Sequence, residues 1–530
     1  MATYVNDLRL KEIATGDESG TWGTSTNTNL ELIGEAFSVG SEALSDASTG
    51  TITVADGTSD AARAMNMKLT GSLGQACTVT LAPNTLSKVW CIENNAGDSV
   101  TLTQGTGANV VIPNGGIRMV VTDGAGSGAA ITDVLDVLGG TGNIALGSGA
   151  MGIALTTGTD NVAIGENALD AVTTGADNTA VGDNAAGATT TGGNNTAVGS
   201  SALLVNTTGS GNVAVGDFTL DANTTAAYNT AVGYSALSAN TTGVGNVAVG
   251  KDALIVSTTA NNNTAVGMDA LTATTTGASN VSVGQDSMAA NTTGAQNTAL
   301  GAAALATATT ASNNVAVGYG ALNANTSGTD NVGVGSNALD VNTTGSDNTA
   351  LGDNALGANT TAAGNVAVGS AALLVNTTGA GNTAVGAYAL DANTTASNTT
   401  AIGNEALSAN TTGADNTAIG KRALDANTTG GYLVAIGVDA LGANTTASHN
   451  IGIGNSALGA NTTGAYNIAI GRLALDANTT ASNNVAVGYN SLGANTTGSE
   501  NTAVGQNSSD AVTTGSANTA VGQSSLSGTT

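Results

Sequence analysis

Glycine recurs every 17 residues from Gly165 to Gly522 without one insertion or deletion, closing 22 copies of a phrase close to Asn-Thr-Ala-Val-Gly-x-x-Ala-Leu-x-Ala-Asn-Thr-Thr-Gly. A further copy ends at Gly147, 18 residues before Gly165, which makes 23. A register held this strictly means that each repeat is one identical step along an axis, since an extra residue in any step would break the stacking. Most of the chain is therefore expected to be elongated, and elongated repeat arrays hold things at a distance or present a surface.

Within a repeat, the residue before the glycine is a branched aliphatic, as at Val232, Val249, Val266 and Ile402. Two before it stands Ala in 20 of 23 copies, with Ser282, Gly333 and Gly452 as exceptions. Bulky and tiny residues alternate, and period-2 alternation with β-branched residues predicts a short strand. Four residues after the glycine comes Leu, with Met151, Ala186, Met288 and Ser509 as departures, and this Ala-Leu pair reads as a second short strand. The expected solenoid core is Val232 with Leu237, Val249 with Leu254, and Val266 with Leu271. The opposite face, Ala231, Ala248 and Ala265, is expected to be flat and open.

The rest of the repeat is turn chemistry. Asn stands four before the glycine in 21 of 23 copies, Thr399 and Leu433 differing, and stacked Asn side chains can form amide ladders. The last glycine of Asn-Thr-Thr-Gly becomes Ala at 226, 260, 311, 362, 396, 447 and 481, so that position does not require positive φ. Helix is disfavoured by recurrent Gly, Asn and Thr and by the lack of a 3.6-period apolar stripe; disorder is disfavoured by the fixed phase of Val, Ile and Leu. At about 4.8 Å per coil, 23 coils would extend roughly 110 Å. One Val and one Leu per coil make a thin core. Burial of the Ala/Gly face against other copies would supplement it, and three chains around one axis leave no such face open.

Tandem Asn-Thr-Ala-Val-Gly, as at 263–267 and with Leu351 in the fourth place at 348–352, resembles the head repeats of trimeric autotransporter adhesins. It is still more similar to repeats in bacteriophage tail-fibre and tail-spike proteins, where Ala-Leu and Asn-Thr-Thr-Gly also occur. The resemblance covers residues 143–530. It implies a homotrimeric parallel β-roll, although the adhesin repeat is usually shorter than 17 residues. Neither a membrane anchor, a coiled-coil stalk nor a self-cleaving chaperone domain follows the last repeat, so the tip is expected to be either bare or capped by a separate tip protein.

Residues 1–47 differ in kind. Thr28-Asn-Leu-Glu31 has the capping-box pattern and predicts the start of a short helix with Leu30, Ile33 and Phe37 on one face. The segment from Asp17 through Trp22 to Leu30 is similar to the N-terminal segments that attach phage fibres to the particle, which assigns attachment to Trp22, Leu30, Ile33 and Phe37. Residues 48–138 read as a small β-sandwich-like domain, with strands near 51–54, 64–70, 77–81, 88–93, 100–103 and 116–122. The order of elements there also resembles a phage-fibre domain. Residues 139–142, Gly-Gly-Thr-Gly, form a hinge, and 143–530 the shaft.

The net charge is −27, with 10 basic and 37 acidic residues, which leaves no footprint for a nucleic-acid backbone. Acids shift between loop phases, as at Asp221, Asp252, Asp269 and Asp286, unlike the fixed Asp of calcium solenoids, so no metal is expected. Cys77 and Cys91 fall on apolar phases with Val79 and Val89 and are expected to be buried free thiols. Met1–Leu10 has no apolar signal run and no stretch is long enough to span a bilayer. His449, the single histidine, stands in a turn and reads as solvent-facing. Tyr228, Tyr432 and Tyr466 read as isolated additions. No catalytic residue and no cofactor is expected.

The fold expectation is all-β: a homotrimeric parallel β-solenoid shaft of 17-residue coils behind a small β-sandwich-like domain and a short helical anchor. The functional expectation is a structural virion fibre of a tailed bacteriophage, assembled in the host cytoplasm and meeting a host-surface glycan or protein. A bacterial surface adhesin is the alternative. An ice-binding solenoid, ordering water on Thr rows of Asn-Thr-Thr, is a further one.

Overall fold

The computed structural model describes residues 4–5, 10–11, 20–135, 142–152 and 155–528. Most of the hinge, the end of the β domain at 136–138 and Asp17–Ser19 of the attachment segment lie outside the described residues. These fall into two compact units, Met1–Ala226 and Ala227–Thr530.

In the first unit, β1 (Tyr4–Val5) and β2 (Leu10–Lys11) pair antiparallel ahead of helix α1 (Trp22–Ala36). The helix starts six residues before the expected capping box, so Thr28 and Glu31 lie inside it. Its N-cap is Thr21, which makes no side-chain cap bond. Two sheets follow. β3 (Val39–Leu44), β5 (Asn66–Gly71), β7 (Ser87–Asn95), β10 (Ile117–Asp123) and β11 (Ile131–Leu135) make a five-stranded sheet in the order β11-β10-β7-β5-β3. β4 (Thr49–Thr53), β6 (Cys77–Ala82), β8 (Val100–Thr103) and β9 (Val110–Ile112) make a four-stranded sheet in the order β4-β6-β8-β9. From β3 to β8 the chain alternates between the sheets, so β3, β5 and β7 pair parallel, as do β4, β6 and β8. The domain is thus a sandwich built by coiling. Its core is Ile52, Met67, Leu69, Val79, Leu81, Trp90, Ile92, Leu102, Ile112 and Val120.

Cys77 is buried in this core, whereas Cys91 is only half-buried. In β7 the inward residues are Trp90, Ile92 and Asn94, which turns Val89 and Cys91 to the outer face. Apolar character did not mark the inward side here, because Trp90 fills more of the core than Val89 could. The buried Arg63 lies by Glu35 of α1 (3.7 Å) and Asp60 (3.6 Å) and donates to the carbonyls of Ala55 and Thr58, which ties the helix to the sandwich.

The repeats form a parallel β-solenoid with one three-residue strand per coil. Five such strands, Ile144–Leu146 to Val213–Val215, lie in the first unit and eighteen, Thr230–Val232 to Thr519–Val521, in the second. In each unit they pair in sequence order and in register; in the second, Ala231 faces Ala248 and Val232 faces Val249. The expected second strand is absent: Ala-Leu is a turn, and Leu237, Leu254 and Leu271 have left-handed backbone (φ 55°, 53° and 54°). That conformation aims each Leu inward, and its N–H is still satisfied, Leu237 donating to the Ala253 carbonyl at 2.9 Å.

Gly250 explains the invariant glycine. Its φ is 135°, and a Cβ there would sit 2.4 Å from the Gly267 carbonyl oxygen of the next coil. By contrast, the final glycine of Asn-Thr-Thr-Gly, such as Gly243, does not adopt positive φ, in keeping with its replacement by Ala elsewhere.

Candidate functional site

The two faces of the strand are the reverse of those expected. Ala231, Ala248 and Ala265 are fully buried, while Val232 is 36% exposed and Val249 and Val266 are half-buried. The middle residue of a three-residue strand points one way and its neighbours the other. Leu from the turn already fills the narrow interior. A Cβ added to Gly452, at the alanine position, would lie 3.1 Å from Leu441 Cγ, so this slot is narrow: it takes Gly, Ala or, at Ser282, a small hydroxyl that donates to the Ser287 carbonyl at 2.9 Å. Leu237, Leu254 and Leu271 are fully buried. The face open to a partner is therefore the outward row of Thr or Val and of Val, Ile or Leu, such as Thr230 with Val232 and Thr349 with Leu351.

Polar ladders supplement the thin apolar core. Asn246 donates to Asn229 Oδ1 through both its backbone N–H (2.9 Å) and its Nδ2 (3.2 Å), and Nδ2 also reaches the Ala260 carbonyl at 2.8 Å. A second ladder runs through the Asn of Asn-Thr-Thr, where Asn342 Nδ2 donates to Asn325 Oδ1 at 2.9 Å and to the Gly345 carbonyl at 3.0 Å. The next Thr donates to the carbonyl one coil on, as Thr343 Oγ1 does to Thr360 at 3.0 Å. These bonds satisfy polar groups inside a single chain, so the ladders need no second chain. They also engage the first Thr hydroxyl of Asn-Thr-Thr; the second, as at Thr242 and Thr344, is exposed, and the outward strand Thr such as Thr230 and Thr349 are half-buried.

At the N-terminus, Trp22, Leu30 and Phe37 are exposed, Phe37 by 74%, and Ile33 is half-buried. The side of α1 turned to the domain carries Leu32 and Ala36 with half-buried Ser25, Thr28 and Asn29. The helix is thus more apolar outside than at its inner end.

The acids keep to fewer phases than expected. Asp252, Asp269 and Asp286 share one left-handed turn position (φ 56°, 58° and 54°). Asp221, Asp340, Asp391, Asp425 and Asp476 share another, where burial pushes each carboxyl pKa above the ordinary value. Asp425 and Asp476 flank Gly442 and Gly459 along an open groove, with Arg422 held to Asp439 at 3.0 Å. Among the described residues no group of three or more His, Cys, Asp or Glu side chains could hold a metal ion. Among them, too, no helix is long and apolar enough to cross a membrane.

The aromatic turn residues do have a pattern. Tyr432, His449 and Tyr466 occupy one turn position in consecutive coils, and the imidazole stacks between the two phenol rings at centroid distances of 5.1 and 4.9 Å. Their numbers differ by 17, so the spacing was available in the sequence; it was hidden because each looked like a lone substitution.

No family model matches the chain, and neither a curated protein nor a solved structure matches it.

Proposed function

We propose that this protein is a structural fibre of the tailed-bacteriophage type that its repeats resemble. On this reading the segment around Trp22, Leu30, Ile33 and Phe37 attaches to a tail or other virion protein, and the solenoid projects toward the host surface, bare or with a separate tip protein. The observation that carries it is the solenoid register: buried Asn and Leu recur in coil after coil with no insertion that would form a catalytic cleft. Such an array resists bending and carries load, so its work is mechanical. A homotrimer remains part of the proposal, with one change. The outward Thr/Val and Val/Ile rows, not the buried alanines, are the surface that copies would share. Such rows on a parallel sheet are apolar enough to be covered and too regular to be incidental.

The test is the mass of the purified full-length protein in solution together with antibody labelling of phage particles. A species of three 50.5 kDa chains, and label on a particle appendage, is expected. A monomer at all concentrations would remove the trimer, and label absent from particles whose genome encodes the chain would remove the fibre. Export to a bacterial surface would favour the adhesin reading instead. The exposed second Thr of Asn-Thr-Thr, as at Thr242 and Thr344, gives ice binding its own check: inhibition of ice recrystallisation at micromolar protein, lost in a Thr-to-Val variant of that row.

A further inference from the structure

The turn before the buried asparagine has left-handed backbone, which favours Asn, Asp and Gly. Those residues fill it in nearby coils, at Asp347, Gly364, Gly381, Asn398, Asp415 and Asn483. Three consecutive coils carry bulky rings there instead: Tyr432, His449 and Tyr466, with φ of 58°, 60° and 57°. Large side chains are disfavoured in this conformation, and other coils stack without them, so the coil itself does not require rings at this position. The rings are also not core residues: Tyr432 is 61% and Tyr466 59% exposed, and His449 is exposed between them.

The geometry limits what such a column can hold. The rings lie within 2° and 7° of parallel, so their stacked faces are hidden and their edges look outward. The exposed surface is a strip of C–H edges carrying a phenol hydroxyl, an imidazole and a second phenol hydroxyl, one rung every 5 Å or so (5.1 and 4.9 Å between centroids). That strip suits a ligand that repeats along the axis and offers apolar C–H patches and hydroxyls together. A folded protein is a poor fit, because a stable interface buries about 800 Å² per partner and three side chains present far less. A polyanion is also disfavoured: the chain carries −27, and Asp415 holds the same turn position one coil before Tyr432.

We propose that the Tyr432–His449–Tyr466 column is a binding site for a neutral polysaccharide. The proposal rests on the host-surface reading above and gives its partner a chemical class and a location. The site holds an extended glycan along the solenoid axis by hydrogen bonds to the ring tips and contact with the ring edges.

The single histidine makes the test specific. Full-length protein labelled with ¹³C-histidine is titrated with soluble neutral glucans, mannans and galactans while the imidazole signal is followed, and affinity is measured in parallel by gel retardation. At least one polysaccharide is expected to bind and to move the His449 signal. Tyr432→Ala with Tyr466→Ala should weaken that binding at least tenfold. Tyr228→Ala, at the same turn position between Gly211 and Gly245, should leave it unchanged. If the alanine pair does not fold, Tyr432→Phe with Tyr466→Phe keeps the stack, removes the hydroxyls and should still weaken binding severalfold. No binding across the panel, binding that survives both pairs, or a His449 signal that moves only with a protein component would each overturn the site. Particle labelling is independent of all these outcomes, so failure of the glycan site and failure of the fibre reading can be told apart.

Discussion

Asn246 gives both its backbone N–H and its side-chain amide to one acceptor, Asn229 Oδ1, at 2.9 and 3.2 Å. Its own Oδ1 receives the N–H of Asn263 at 3.0 Å. Each rung is thus donor and acceptor at once, and removing one leaves groups on both sides to be satisfied. Asn246→Ala strands the buried Asn263 N–H and takes a donor from the Ala260 carbonyl. A loss of about 2–6 kcal/mol is expected, from these two buried groups left unpaired at ~1–3 kcal/mol each. Denaturant unfolding followed by circular dichroism measures it.

The second ladder offers the converse experiment. Asn291 Oδ1 is buried without a hydrogen-bond partner, because the next rung is Ala308. Ala308→Asn places an amide where neighbouring coils already hold one, at Asn291 and Asn325. It should raise stability by ~1 kcal/mol, the net worth of a typical hydrogen bond. A fall in stability would mean that the interior at Ala308 has closed around the methyl group.

The alanine row and the valine row respond oppositely. Ala248→Val puts two extra methyl groups into a slot bounded by a Leu of the preceding coil, and overpacking of this kind costs about 1–3 kcal/mol. Val249→Thr on the outward face should change the stability of the isolated chain by no more than ~0.5 kcal/mol. Several such outward substitutions together should lower the association constant measured by sedimentation while leaving the circular dichroism spectrum unchanged. If Ala248→Val were neutral and Val249→Thr disruptive, the inward and outward assignments would be wrong.

Period, strand and glycine were legible in the sequence because each answers to a local rule: Gly250 allows no Cβ, and Val-Ala-Val alternates. The ladder was legible for the same reason, since Asn at a fixed phase can bond to Asn. The sidedness of the strand was not. Alternation says that Ala248 and Val249 point apart, not which one faces a core too narrow for Val. The conformation of Leu237 was hidden as well, because left-handed Leu runs against its preference and is imposed by the stacked coil. The start of α1 was missed because Thr28 and Glu31 match a cap that packing did not use. In the candidate site, Tyr432, His449 and Tyr466 carry no signal singly; their meaning lies in the stacking that a 17-residue period creates.

Acid should strengthen the coils. Burial raises the carboxyl pKa of Asp221, Asp340, Asp391, Asp425 and Asp476 above the ordinary aspartate value. A raised folded-state pKa means that the folded state binds protons more tightly than the unfolded chain in the window between the two values. The favourable contribution is complete below the unfolded value and is lost as pH rises through the folded one. The melting temperature of the repeats should therefore increase as pH falls from 7 toward 4, and relief of charge repulsion acts in the same direction. Replacing the five residues with Asn should raise the melting temperature at pH 7 and flatten the profile. Calorimetry across this range decides; a profile equally steep in the Asn variant would assign the effect to net charge alone.

Helix α1 gives the sharpest test of attachment, because its exposed apolar residues contribute little to its own domain. Leu32 and Ala36 are buried, so Leu32→Ser should unfold the helix from the sandwich. Leu30 and Phe37 face solvent, and removing them exposes nothing that was covered. Leu30→Ser with Phe37→Ser should leave thermal stability within the small range typical of surface changes, about 0.5 kcal/mol each. The same variant should fail to join particles when it is supplied in place of the natural chain, as scored by antibody labelling of purified virions. Full incorporation of the double variant would mean that this stripe is not the attachment surface. A variant that incorporates but sediments as a monomer would instead assign the stripe to contacts between copies of the chain.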